Sequence, residues 1–117
     1  MGESTTETLF SKIIQRKIPA KIVYEDTICL CFHDIKPVAP THLLLIPKKP
    51  IVRLSDAGIQ DVEILGHMLQ KVAVITQDLQ IQDAFRLVIN NGAGACQTIF
   101  HLHLHILSGR AFNWPPG

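Results

Sequence analysis

Leu9, Phe10, Ile13 and Ile14 recur at helical spacing after a polar start, which predicts a short amphipathic helix capped by Thr5, Thr6 or Thr8. It should stop before Ile18-Pro19, because a residue preceding proline disfavours the helical region. Lys21 to Glu25 and Ile28 to His33 read as two strands joined by a turn at Asp26-Thr27. A loop bracketed by Pro37 and Pro40 leads into His42-Leu43-Leu44-Leu45-Ile46, a continuous apolar run typical of a buried strand. From Asp56 to Leu79, the positions Val62, Leu65, Leu69, Val72, Thr76 and Leu79 step by three or four residues. That is the stripe of a long helix, with Ser55 as its cap. Phe85 to Asn90 predicts another strand, and Asn91 to Ala95 a small Gly-containing loop.

The last element carries the densest chemistry. In Phe100-His101-Leu102-His103-Leu104-His105-Ile106 the histidines alternate with apolar residues. A strand points successive side chains to opposite faces, so the three histidines share one face and Phe100, Leu102, Leu104 and Ile106 line the other. A helix, turning roughly 100 degrees per residue, would scatter them.

The order is helix, three strands, long helix, two strands. Without regular β-α alternation this favours an α+β fold with a mainly antiparallel sheet. Such a sheet leaves edges that dimerisation could cover. At 117 residues the chain reads as one domain, residues 9–117, behind a flexible polar tail, residues 1–8.

Composition narrows the function classes. Apolar residues make up 47% and charged residues 18%, which fits a compact domain and argues against disorder. A formal net charge of +1 gives no footprint for nucleic acid or an acidic membrane, and Lys48-Lys49 is only a short basic patch. No apolar run approaches a membrane span. The three cysteines, Cys29, Cys31 and Cys96, contain no CxxC and follow no secretory leader, so reduced thiols in a cytosolic or nuclear setting are expected. Cys29 and Cys31 alternate with apolar residues and read as small strand residues. Met1 to Thr6 formally matches a myristoylation pattern, against the plainer reading of a polar tail.

Three chemistries compete for the histidine face. As structural residues, each imidazole would need a partner or carry a desolvation cost. As metal ligands they are badly spaced, because neighbouring same-face positions lie about 6.8 Å apart and the outer pair about 13.6 Å. Bonds near 2 Å cannot converge across that span without a second element; His33 and His42 are the available donors. As nucleophilic catalysts at phosphorus they supply every part. An imidazole is largely unprotonated at neutral pH and attacks, a neighbour stabilises charge, and another group delivers a proton. Gly92-Ala93-Gly94-Ala95 just upstream offers unhindered backbone N–H groups for a phosphate.

His101-x-His103-x-His105 with its apolar flanks resembles the histidine triad motif. The likeness extends to Ile18-Pro19-Ala20, Phe32-His33-Asp34-Ile35, Ala39-Pro40-Thr41-His42, Ile46-Pro47-Lys48-Lys49 and Trp114-Pro115-Pro116-Gly117. These segments cover nearly the whole chain from Leu9 onward and look like the Hint branch of the histidine triad (HIT) superfamily, the purine nucleoside phosphoramidases. The triad alone would identify only the superfamily; the FHDI and WPPG segments point to the branch.

The resemblance implies a five-stranded antiparallel sheet with one short and one long helix, joined to a ten-stranded sheet in a homodimer. It implies purine nucleotide conjugates as substrates, AMP or GMP phosphoramidates and aminoacyl-adenylates, cleaved without metal or other cofactor. His103 would attack the α-phosphorus to give a nucleotidyl-histidine that water hydrolyses, and His105 would contact the phosphate. His101 and His42 would orient and relay protons behind the nucleophile, and Thr98 would donate its hydroxyl to the phosphate or leaving group. Asp34 matches a carboxylate for the ribose hydroxyls, a role that suits its acceptor-only chemistry. Asn90 matches a residue beside the phosphate. Phe10, Ile13, Ile18, Phe32, Ile35 and Leu44 match an apolar slot for the base. His33, Cys96, Gln97 and Trp114 fall in the matched nucleotide-binding segments, Cys96 in place of a glycine whose backbone N–H faces the phosphate.

The loop before the triad departs from the family's Gly-Gly-Gln-Ser, reading Ala95-Cys96-Gln97-Thr98. If Cys96 stands where positive φ or close ligand approach is needed, its Cβ costs free energy or narrows the site. Asn113 stands where histidine is common beside the tryptophan. Two rival functions stay open: a dinucleoside polyphosphate hydrolase of the same superfamily, and a non-catalytic nucleotide-binding scaffold, with Cys96 marking lost activity.

Overall fold

The computed structural model describes residues 7–117; the myristoylation pattern and the candidate caps Thr5 and Thr6 lie outside the described residues. Helix α1 spans Leu9–Ile14. Thr8 caps it: the Ser11 amide donates to Thr8 Oγ1 (3.2 Å), and the Thr8 amide donates back to Ser11 Oγ (2.7 Å). This reciprocal box satisfies two donors that a helix start leaves open. The helix ends earlier than the proline rule predicts. Arg16 adopts a left-handed conformation (φ 63), and the Lys17 amide donates to the Lys12 carbonyl (2.9 Å), closing a Schellman turn ahead of Pro19.

Strands β1 (Ile22–Glu25), β2 (Cys29–His33), β3 (Thr41–Pro47), β4 (Phe85–Val88) and β5 (Leu104–Ser108) form one antiparallel sheet, in the order β1-β2-β3-β5-β4. The expected α+β class and five-stranded sheet are observed, although β4 stops at Val88 rather than Asn90. The β1–β2 turn is held by Asp26, whose Oδ1 accepts from the Ile28 and Cys29 amides (both 2.8 Å).

Helix α2 spans Val62–Asp78, six residues shorter at its start than the periodicity suggests. Two short 3-10 turns, Leu54–Asp56 and Ile59–Asp61, precede it, so Ser55 lies in a turn and caps nothing. The buried Asp61 organises this entry by accepting from the Gly58 amide (2.9 Å) and the Lys49 ammonium (2.6 Å). The buried face of α2 is Met68, Val72, Ile75 and Thr76, with Leu65 partly covered. Val62 (56% exposed), Leu69 (53%) and Leu79 (40%) of the expected stripe face outward. The helix is apolar on more than one side, and sequence spacing could not say which side meets the sheet.

The sheet is covered on both faces. Under α2 lie Cys29, Cys31, Leu43, Leu45, Leu104 and Ile106. On the other face Leu30, Phe32, Leu44 and Ile46 pack against Phe10 and Ile13 of α1. β3 is thus buried on both sides, as its unbroken apolar run requires. Both buried cysteines behave as the small strand residues expected. Among the described residues, no helix is long and apolar enough to cross a membrane.

Candidate active site

The histidines reach the α1 face by the parity expected, but only His105 lies within a paired strand. β5 begins at Leu104, opposite Leu45 of β3, and beyond that point the ladder runs out. Pro47 brings no N–H to extend it. Its carbonyl instead accepts from the His101 ring Nε2 (2.7 Å). The Leu102 amide donates to the Ile51 carbonyl, which keeps the approach segment extended (2.6 Å). Leu102, Leu104 and Ile106 enter the α2 core as predicted, whereas Phe100 sits in a bend and is 42% exposed. Alternation holds only as far as the chain stays extended.

A cleft of about 590 Å³ opens between α1, the end of β2 and the histidines. Phe10, Ile13, Ile18, Phe32, His33, Asp34, Ile35, His42, Leu44, Thr98, His103 and His105 all line it, as the sequence suggested. Leu9, Pro19, Ala20, Lys36, Val38 and Ile99 line it too, though none was expected as a site residue. Phe10 forms the wall between the apolar and polar halves, its ring edge-on to His103 at 5.0 Å and to His101 at 6.2 Å.

Other expected site residues lie elsewhere. His101, 1% exposed, sits behind the cleft. Asn90, Cys96 and Trp114 do not line it, and Trp114 is 83% exposed. Gln97 is 3% exposed and turned into the loop: its Oε1 accepts from the Gly92 amide (2.8 Å), while Nε2 donates to the carbonyls of Val52 (2.8 Å) and Ile99 (3.2 Å). It staples the loop rather than facing a ligand. The Gly92–Ala95 segment does not line the cleft either. The amides of Gly92, Ala95, Cys96 and Gln97 are all spent on bonds within the loop. Cys96 does adopt the left-handed region (φ 70, ψ 25), as the glycine in its place suggested.

Hydrogen-bond partners assign the ring protons. His103 Nδ1 lies 2.7 Å from the His101 carbonyl, an acceptor, so Nδ1 carries the proton and Nε2 keeps a free lone pair. At His42 the Val38 amide, a donor, points at Nδ1 (3.1 Å), which must therefore hold the lone pair. The His42 proton then sits on Nε2 and is donated to His105 Nδ1 (2.9 Å), with Asp34 Oδ2 at 3.3 Å. His105 in turn carries its proton on Nε2, which is buried and has no partner among the described residues. His42 therefore lies beside His105 and Asp34, on the cleft side, and not behind His103. Adjacent rings, 5.0 Å apart, present opposite functions: a lone pair on His103 and an N–H donor on His105.

All four imidazoles are held neutral. Burial pushes His101, His103 and His42 below the ordinary value; the Asp34 charge partly opposes this at His103 and His42. Burial, reinforced by His103 and His42, pushes His105 down to about 4. The site can attack with a neutral imidazole and donate a hydrogen bond with its neighbour.

Among the described residues, two donor groups have metal-like geometry. The ligand atoms of Asp34, His42 and His105 lie within 4.8 Å of one another, as do those of Asp26, Cys29 and His67. In the second group Asp26 already accepts from Tyr24 Oη and His67 Nε2 (2.7 Å each) and from two amides, and burial pushes the Cys29 thiol up to about 12. It is a hydrogen-bonded clamp between the β1–β2 turn and α2.

The model of the HIT domain matches residues 15–112. A HIT-like protein of Synechocystis sp. is 62% identical over 95% of this chain and 97% of its own, and a 14 kDa zinc-binding protein of Zea mays is 46% identical over 94% and 88%. Among solved structures, a HIT family hydrolase from Legionella pneumophila superposes with a TM-score of 0.92 at 45% identity, covering 95% of this chain and all of that one. A histidine triad nucleotide-binding protein from Candida albicans superposes at 0.81 with 27% identity, over 95% and 85%. With its histidine row, its sheet order and this family-wide match, the chain belongs to the HIT domain family and has the fold of HIT family hydrolases.

Proposed function

We propose that the cleft hydrolyses purine nucleoside 5′-phosphoramidates to the nucleoside monophosphate and the free amine, and aminoacyl-adenylates to the monophosphate and the free acid, as the Hint branch does. The supporting observation is the opposite protonation of the free Nε2 atoms of His103 and His105. His103 Nε2 attacks phosphorus, a nitrogen–phosphorus bond to the protein forms, and the bond to the leaving group breaks. The leaving amine departs with a proton supplied from Thr98 or His105. Water then attacks phosphorus and returns a proton to the group that protonated the amine, the histidine–phosphorus bond breaks, and the nucleotide leaves. The orphaned His105 N–H finds its acceptor in a phosphoryl oxygen, and its hydrogen bond strengthens as charge builds there. Phe10, Ile13, Phe32 and Leu44 form the apolar slot for the base.

Mass spectrometry of protein quenched after mixing with an adenosine 5′-phosphoramidate should show a nucleotidyl adduct on the His103 peptide. His103→Ala should lose turnover by at least about three orders of magnitude while still binding AMP. Turnover near the wild-type level in that variant would sink the mechanism. Faster turnover of diadenosine polyphosphates than of AMP-amine would instead favour the related polyphosphate hydrolases. AMP binding without any hydrolysis would favour a scaffold.

The proximity of Asp34, His42 and His105 supports a second reading, a divalent ion held in the cleft; the Zea mays relative is named for zinc binding. It requires stoichiometric zinc in the purified protein and loss of activity with a chelator. The phosphoramidase reading also carries a homodimer formed through an exposed sheet edge, in a cytoplasmic or nuclear setting.

A further inference from the structure

We propose that Arg110 is a positioning residue that sets the protonation pattern of the His42–His105 pair from outside the cleft. A continuous chain of bonds links them. Arg110 Nε donates to the Val38 carbonyl (2.9 Å), the Val38 amide donates to His42 Nδ1 (3.1 Å), and His42 Nε2 meets His105 Nδ1 (2.9 Å). Val38 is the one link that is main chain, and it lies in an exposed loop between Pro37 and Pro40. Two features past the end of β5 brace that loop. Gly109, at φ +100, runs so close to Pro40 that an added Cβ would lie 2.8 Å from its Cβ. Arg110 then reaches Val38, its guanidinium steadied by the Phe112 ring at 4.4 Å and by a bond to the Ala111 carbonyl (3.0 Å).

The consequence for the site is specific. With the Val38 amide in place, His42 Nδ1 must accept, and both protons of the pair are driven outward, leaving an N–H at His105 Nε2. Without it, only the Asp34 carboxylate, 3.3 Å from His42 Nε2, still favours a proton there. The pair then mixes with the state in which His42 carries its proton on Nδ1, accepts from His105 Nδ1–H, and leaves a lone pair at His105 Nε2. Two lone pairs, on His103 and His105, would then face the phosphoryl oxygens. Arg110 does not line the cleft, so the base slot and Asp34 stay as they are.

The catalytic consequence rests on the phosphoramidase reading, but the tautomer pattern does not, and the test separates them. Nitrogen-15 spectra of the full chain at pH 7 read the ring tautomers directly. Wild type should show His42 and His105 protonated on Nε2. Arg110→Met, which keeps the apolar stem and removes the donors, should show mixed tautomers at both rings. It should lower kcat for an adenosine 5′-phosphoramidate at least about tenfold and leave AMP affinity within about threefold. Arg110→Lys, which can still donate to the Val38 carbonyl, should recover the single tautomer and most of the turnover. Unmixed tautomers in Arg110→Met would overturn the proposal, whatever its activity. Mixed tautomers in a protein whose wild type turns over no phosphoramidate would uphold the positioning role and remove the assigned reaction.

Discussion

Gln97 shows how one residue can keep its importance and change its job. Sequence placed it among the nucleotide contacts, yet its amide joins Gly92, Val52 and Ile99, so it shapes the loop that presents Thr98. Gln97→Ala leaves a buried amide and two carbonyls short of partners, at about 1–3 kcal/mol for an unsatisfied group. The expected outcome is a lower denaturation midpoint together with reduced turnover, since Thr98 moves with the loop. Cys96 is the converse case, because its oddity was visible in the sequence and is real in the backbone. Cys96→Val, a β-branched residue forced to φ 70, should lower stability by about 1–3 kcal/mol, measured by chemical denaturation. What sequence could not supply at this scale was direction: a glutamine pattern says nothing about which way the amide points.

At the scale of elements, α1 has only six helical residues and is held by its caps and one apolar face. Thr8→Ala should cost about 1 kcal/mol, and because Phe10 rides on that helix over His103, it should also weaken nucleotide binding. Titration calorimetry with AMP measures the second effect. The β5 approach illustrates why element boundaries resist prediction. Parity told which face the histidines share, but where pairing stops depends on where β3 reaches Pro47. The long helix was legible in period and not in phase, since Leu69 and Met68 fit the same spacing and only packing chose Met68.

At the scale of the molecule, acid stability follows from the neutral histidines. Unfolded imidazoles take protons as pH falls through about 6.5, whereas the native rings resist until lower pH, His105 until about 4. Between those values the unfolded state binds more protons, so stability falls as pH falls through this window. Below it the loss continues at Asp26. Burial would raise this carboxyl, but bonds from Tyr24, His67 and two amides outweigh that and hold it low, so its stabilising contribution disappears on protonation. Urea midpoints at pH 7.5, 5.5 and 4 should descend in that order. Turnover should show the same neutrality, with kcat/KM flat from pH 8 through 6.5 and falling only below; an inflection at the ordinary imidazole value would contradict it. The proposed dimer belongs here too. Leu69→Glu, on the outward band of α2 that borders Phe85 and Leu87 of the edge strand β4, should shift sedimentation from dimer to monomer.

Alternation, turn chemistry and residue type, acting locally, determined that this chain has an antiparallel sheet, two helices and one histidine face. Those features depend on backbone geometry within a few residues. The jobs of the histidines depend on partners far along the chain: the Pro47 carbonyl for His101, the Val38 amide for His42, and His42 for His105. A proton sits on one ring nitrogen or the other according to what faces it, and only the tertiary structure decides what that is.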